Sequence, residues 1–126
     1  MSESIPLTIV SGADYVQREA LIWQASTAFL DLHGPTATIG VVLEGLPTGE
    51  QLLVPSVQMM VQRIAPGCFC CIGNLTMRVT LNRLLRQKIQ HLYLGVASSD
   101  HLQNLRKMLK QAPYDQLLLE HSVVYL

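Results

Sequence analysis

The feature that most constrains this chain is an alternation between two hydrophobic periods. Short apolar runs rich in β-branched residues, Leu7-Thr-Ile-Val10, Thr38-Ile-Gly-Val-Val-Leu43 and Leu92-Tyr-Leu-Gly-Val96, are separated by longer segments whose apolar residues recur at helical spacing. The runs are apolar almost throughout, as strands covered on both faces must be. Ser122-Val-Val-Tyr-Leu126 has the same character and predicts a last strand. Strands separated by helices imply a parallel or mixed sheet between helical layers, a three-layer α/β sandwich.

The punctuation agrees. Ser11-Gly12 closes the first run, and Asp14-Tyr-Val-Gln17 has the form of an acidic N-cap with its reciprocal partner, opening a helix. Leu21, Ile22, Ala25 and Phe29 predict its buried face, Trp23 reads as a further core residue, and His33-Gly34-Pro35 marks its end. Leu52-Leu-Val54 and Met59 to Ile64, divided by Pro55-Ser56, predict a hairpin or bulged pair. Asn74 predicts the cap of a helix reaching about Gln90, with Met77, Leu81, Leu84, Leu85 and Ile89 inward. Ser99 or Asp100 predicts the cap of another, ending near Gln111.

At 126 residues the chain suits one domain, residues 1–126, and 49% hydrophobic against 14% charged residues describes a buried core rather than a disordered polymer. Nine acidic and nine basic residues leave no net field to draw it onto nucleic acid or anionic lipid. Arg78, Arg83, Arg86, Lys88, Arg106, Lys107 and Lys110 lack interleaved aromatics and read as solvated helix faces. No apolar stretch approaches the ~20 residues of a membrane span. The start has an acidic residue and no basic one before its apolar run, the reverse of a secretory signal. These features predict a cytoplasmic protein with reduced thiols.

All three cysteines fall within four positions, Cys68-Phe-Cys70-Cys71, too close together to tie distant segments by disulfides. Thiolates at this spacing suit one soft ion, zinc or Cu(I), and not Mg²⁺. Three sulfurs leave a fourth zinc position for water, a carboxylate, a histidine or a second chain. Small buried apolar residues, or a redox pair, are the other readings of the same residues. His33, His91, His101 and His121 have no close mutual spacing and read as structural or exposed, with one of them available to complete a metal shell. Ser11, Ser98 and Ser99 lack a nucleophile-elbow setting, so no hydrolase is indicated.

Gly67-Cys-Phe-Cys-Cys71, followed by a helix with Leu75 and Leu81 to Leu85, resembles the Gly-Cys-x-Cys-Cys segment of the CobW-type GTPases, relatives of HypB and UreG that handle zinc, cobalt or nickel. The strand ending in Glu44 resembles the family's second strand, with Leu43 where the family has Asn. Met60 to Gly67 is similar to its strand and loop entering the cysteine motif, and Tyr93-Leu-Gly-Val-Ala97 stands where the Glu-Thr-Thr-Gly strand would be. The resemblance covers nearly the whole chain but only the N-terminal portion of a complete GTPase domain, and implies a shortened P-loop NTPase fold.

The departures matter as much. Where the family has its phosphate-binding loop, this chain has Gly12-Ala-Asp-Tyr-Val-Gln-Arg18-Glu19. Gly12 matches the first glycine and Arg18 stands in for the lysine charge, a vestigial nucleotide site. Gln17, Tyr15 and Val16 crowd a turn that must wrap phosphate, and Glu19 with Asp14 sets carboxylates where phosphate would sit. With no Asn-Lys-x-Asp segment either, GTP binding and hydrolysis are not expected. The resemblance makes Glu44 a candidate metal ligand beside Cys68, Cys70 and Cys71, and a solvated strand-end carboxylate is the equal alternative. The functional expectation is a non-hydrolysing, metal-binding CobW-like domain. The alternatives are a pseudo-GTPase interaction module without metal, then a weak GTP-binding protein. A shortened sheet also predicts a homodimer, or another protein, covering an edge or apolar face.

Overall fold

The computed structural model describes residues 4–12, 14–45, 49, 51–65 and 75–126. Within them lie five strands, β1 (Ile5–Ser11), β2 (Ile39–Glu44), β3 (Met59–Ile64), β4 (His91–Val96) and β5 (Leu118–Tyr125). Four helices accompany them, α1 (Tyr15–His33), α2 (Leu75–Leu85), α3 (Ser99–Leu109) and α4 (Tyr114–Leu117). The strands form one sheet in the order β3-β2-β4-β1-β5, and every pairing is parallel.

Two apolar cores, one on each face, make this the three-layer α/β sandwich the sequence predicts. Ile22 of α1 packs with Val10, Ile39, Val41, Leu43 and Tyr93 on one face. Met77, Leu81 and Leu84 of α2, Leu102, Leu105 and Met108 of α3, and Tyr114 of α4 pack on Leu7, Ile9, Leu92 and Leu94 on the other. Connections running in opposite directions along a parallel sheet place their helices on opposite faces. β2 and β4 are buried at every position, which explains their uninterrupted apolar runs.

Helix α1 starts as predicted. The Asp14 carboxylate accepts the Gln17 amide hydrogen at 2.8 Å, the Gln17 side chain reaches back to the Asp14 amide, and Gly34 closes the other end at φ +90°. Its buried face differs from the expectation. Arg18, Glu19, Ile22 and Ser26 are buried, Ala25 is exposed, Leu21 and Phe29 are half-buried, and Trp23 is 43% exposed. The inward stripe is therefore partly ionic, stabilised by partners from other elements.

The expected hairpin is absent. Residues 52–54 form no strand, and β3 lies parallel to β2. Leu53 alone is buried. Its N–H donates to Glu19 Oε2 at 2.8 Å and its carbonyl accepts from Arg63 Nη2 at 2.9 Å, so side chains take both backbone groups a ladder would use. Helix α2 stops at Leu85, short of Gln90, yet Ile89 remains buried and packs over Gly40. Helix α3 is capped by Ser98 rather than Ser99 or Asp100, its hydroxyl accepting the His101 amide hydrogen at 3.2 Å. Asn74 lies outside the described residues.

Candidate functional site

In an open parallel sheet, ligands bind beyond the carboxyl ends of adjacent strands whose following segments leave toward opposite faces. Here those neighbours are β1, which leads into α1, and β4, which leads into α3. The ends of β1, β2 and β4 converge at this place, and Gly12 N–H donates to Val96 O at 3.1 Å to join two of them.

Glu44 ends β2 there with its residue fully buried. Its Oε1 accepts the Ala97 amide hydrogen at 2.8 Å and lies 2.9 Å from His101 Nδ1, while Oε2 lies 2.6 Å from that same nitrogen. A carboxylate offers only acceptors, so the contact puts the proton on Nδ1 and, in the neutral ring, the lone pair on Nε2. The His101 side chain remains 19% exposed. Glu44 is thus not a solvated strand-end acid; it is a buried group holding a partly exposed imidazole.

Gly12 and Arg18, the matches to the phosphate loop, are held in a closed arrangement. Arg18 is buried, and its guanidinium donates to Gly12 O and to Glu44 O, each at 3.1 Å, pinning the β1–α1 turn to the end of β2. Burial pulls its pKa below the ordinary arginine value, and the Glu44 charge opposes that shift. Gly12 has φ +91°, and a Cβ there would stand 2.8 Å from Leu126 O, so glycine is required by backbone and by space. Asp14 fills the capping position at the N-terminus of α1 where a phosphate would be received.

Glu19 does not face that turn as expected. It is buried toward β3, where Arg63 Nη2 meets its Oε2 at 2.9 Å and Arg63 Nε donates to the Tyr15 hydroxyl at 2.6 Å. Burial raises the Tyr15 pKa, and the Arg63 hydrogen bond opposes the rise. This network fixes the segment around Leu53.

Cys68, Cys70 and Cys71 lie outside the described residues. Among those described, no group of three His, Cys, Asp or Glu side chains could hold a metal ion. What the structure places on this edge is a flanking frame. β3 ends beside β2, with Gly45 N–H donating to Ile64 O at 2.9 Å, and the described chain resumes with α2 at Leu75.

His101 is the site residue that the sequence did not single out. The signal was positional: it follows by five residues the end of a fully buried strand, as Glu44 ends another. His33, His91 and His121, unrelated by spacing, gather instead around Phe29, with His91 ring centroids 5.1 Å from Phe29 and 5.9 Å from His121, and Phe29 4.0 Å from His33. Beside them, between α1 and β5, runs a groove of about 350 Å³ lined by Val10, Ala25, Ala28, Leu32, Tyr93 and Val124 among others. No described helix is long and apolar enough to cross a membrane.

No family model matches the chain, nor does any curated protein or solved structure.

Proposed function

We propose that this chain is a non-hydrolysing, CobW-like domain, residues 1–126, that binds zinc or another thiophilic metal through Cys68, Cys70 and Cys71 and serves in metal handling in the cytoplasm. The carrying observation is the cysteine spacing in the sequence. Every cysteine of the chain falls in four positions, in the sequence between β3 and α2. Thiolates so spaced suit a tetrahedral soft-ion site, and imidazole suits its remaining position. Nucleotide chemistry has no comparable support. The α1 N-terminus is capped by its own Asp14, Gly12 and Arg18 are tied to each other, and Gly45 lies so close to Tyr15 that a Cβ would approach the ring to 2.6 Å.

The test is Zn²⁺ affinity of the reduced chain beside Cys70→Ser, with GTP titrated in parallel. Tight binding near one ion per chain, or one per two chains, reduced at least tenfold in the variant, supports the reading; ligand loss at a structural zinc site removes a share of a large binding free energy. Absence of metal affinity rejects it, and tight GTP binding would return the chain to the nucleotide-binding class.

A second reading, a metal-free interaction module, draws on the groove beside α1 and on β5, one of the two edge strands of the sheet. The partner we propose for that edge is a second copy of the chain.

A further inference from the structure

We propose that the cavity between α3 and β5 binds an anionic amphiphile, a small molecule with one acidic head and an unbranched apolar tail. The site shares no residue with the metal reading above. The cavity has a volume of about 650 Å³, within the roughly 300–1,000 Å³ of small-molecule sites.

The cavity follows from the way the sheet is covered on this side. Leu102, Leu105 and Met108 of α3 pack with Leu7 and Ile9 of β1 and Leu92 and Leu94 of β4, so the helix lies over the middle of the sheet. β5 is one strand further out, and α4, which leads into it, is a single turn. A step is left between the helix and the edge strand. Leu7 and Leu118, both buried, and Leu109, half-buried, line it with apolar surface.

The wall on the helix side is basic. Gln103, Arg106, Lys107 and Lys110 stand on one stripe of α3, at spacings of three, one and three, and all four line the cavity. The sequence alone reads these cations as a solvated helix face; the structure sets them beside an apolar floor. Arg106 is already neutralised, its Nε meeting Glu120 Oε1 of β5 at 3.0 Å. Lys107, Lys110 and Asp115, which also line the cavity, belong to no ion pair among the described residues. Two ammonium groups against one carboxylate leave positive charge in excess at the mouth.

These two surfaces select the ligand. Both lysines are exposed, and a lysine lays its methylene stem along apolar surface while keeping its charged head in water. An acidic head beside the ammonium groups, with its tail along Leu109, Leu118 and Leu7, meets the charge and the floor together. A neutral ligand leaves the charge unused, and a cationic one is repelled. Lysine acts as a point charge that requires no forked geometry, so a simple carboxylate is sufficient as the head.

The experiment titrates decanoate into the full reduced ¹⁵N-labelled chain, without added metal and at fixed protein concentration. Expected are saturable amide shifts at Gln103, Lys107, Lys110 and Leu118. Dodecanoate should bind roughly tenfold more tightly, because two further methylenes leave water. Decyltrimethylammonium, with a similar tail and the opposite charge, should bind at least about tenfold more weakly. Lys107→Glu combined with Lys110→Glu, both at exposed positions, should weaken decanoate by at least about tenfold and leave the rest of the spectrum in place. The tail-length and head-charge comparisons need no variant. Absence of saturable shifts at millimolar decanoate overturns the proposal, as does equal binding of the cationic amphiphile. Shifts gathered around Phe29 and Val124 instead would put the ligand in the groove beside α1 and overturn the assignment of this cavity. Shifts at the cavity residues on raising protein concentration, with none from decanoate, would give the cavity to a second copy of the chain and overturn it equally.

Discussion

Single residues carry most of what the sequence concealed. Arg18 and Glu19 are charged and lie beside Leu21 in a helix whose apolar pattern pointed elsewhere, yet both are buried. Their partners, the carbonyls of Gly12 and Glu44 and the side chain of Arg63, come from segments up to 44 residues away. Burial of a charge depends on such partners, and one-dimensional periodicity does not contain them. His91 shows the same thing with a measurable consequence. Its Nε2 lies 2.7 Å from Thr8 Oγ1, its ring stacks on Tyr93 at 4.4 Å, and burial, helped by the His121 and His33 charges, lowers its pKa to about 4. The unfolded chain, with an ordinary value near 6.5, takes up the proton first. His91 thus contributes stability fully above pH ~6.5 that is lost as pH falls toward 4. Between pH 6.5 and 5 the expected loss is roughly 2 kcal/mol. Urea unfolding at several pH values should show that decline, and His91→Gln, which keeps a polar group able to pair with Thr8 but does not titrate, should decline less steeply. Identical pH slopes in the two proteins would remove His91 as the cause.

At the scale of elements, the sequence was most legible where local signals and tertiary demand coincide. The capping box at Asp14 and Gln17 and the stop at Gly34 bounded α1 closely, because caps satisfy backbone groups using residues only a few positions away. Strands β1, β2 and β4 were plain because burial on both faces leaves continuous apolar runs. Legibility failed where distant side chains replaced backbone pairing, as at Leu53, and where an apolar residue kept its place in the core after the helix had ended, as at Ile89. The contact between Glu44 and His101 was not legible, because it depends on a strand order that places β4 beside β2. The Asp14 cap gives the prediction that belongs here. Asp14→Ala removes the acceptor for the Gln17 amide and should cost about 1 kcal/mol of unfolding free energy, while Asp14→Ser should retain most of it. Equilibrium denaturation decides it; an unchanged midpoint in Asp14→Ala would mean that tertiary packing, not the cap, fixes the start of α1.

For the whole molecule, the decisive asymmetry is between the two ends of the sheet. β3 closes one end with Arg63 committed to Tyr15 and Glu19. β5 closes the other with eight residues that include neither lysine nor proline, the usual guards of an outer strand, and with Leu119 and Tyr125 each more than 60% exposed. On the α1 face the same end is open, since α1 is the one described helix packed there and the groove beside it runs to Val124. Leu21, Ala25, Ala28 and Leu32 border that groove at spacings of four, three and four, an uncharged seam with small residues at its centre. Nine positive and nine negative residues mean that two copies meet without net repulsion. The proposed second copy therefore belongs at this end, and its test is the oligomeric state. Light scattering should give twice the chain mass for the unsubstituted protein and the single-chain mass for Leu119→Lys, which adds a guarding charge to β5 at a site already exposed. A protein that is monomeric at its highest soluble concentration would reject the dimer. A dimer that Leu119→Lys leaves intact would move the interface off the strand edge, and a second substitution, Ala28→Glu, would then ask whether the seam along α1 holds it.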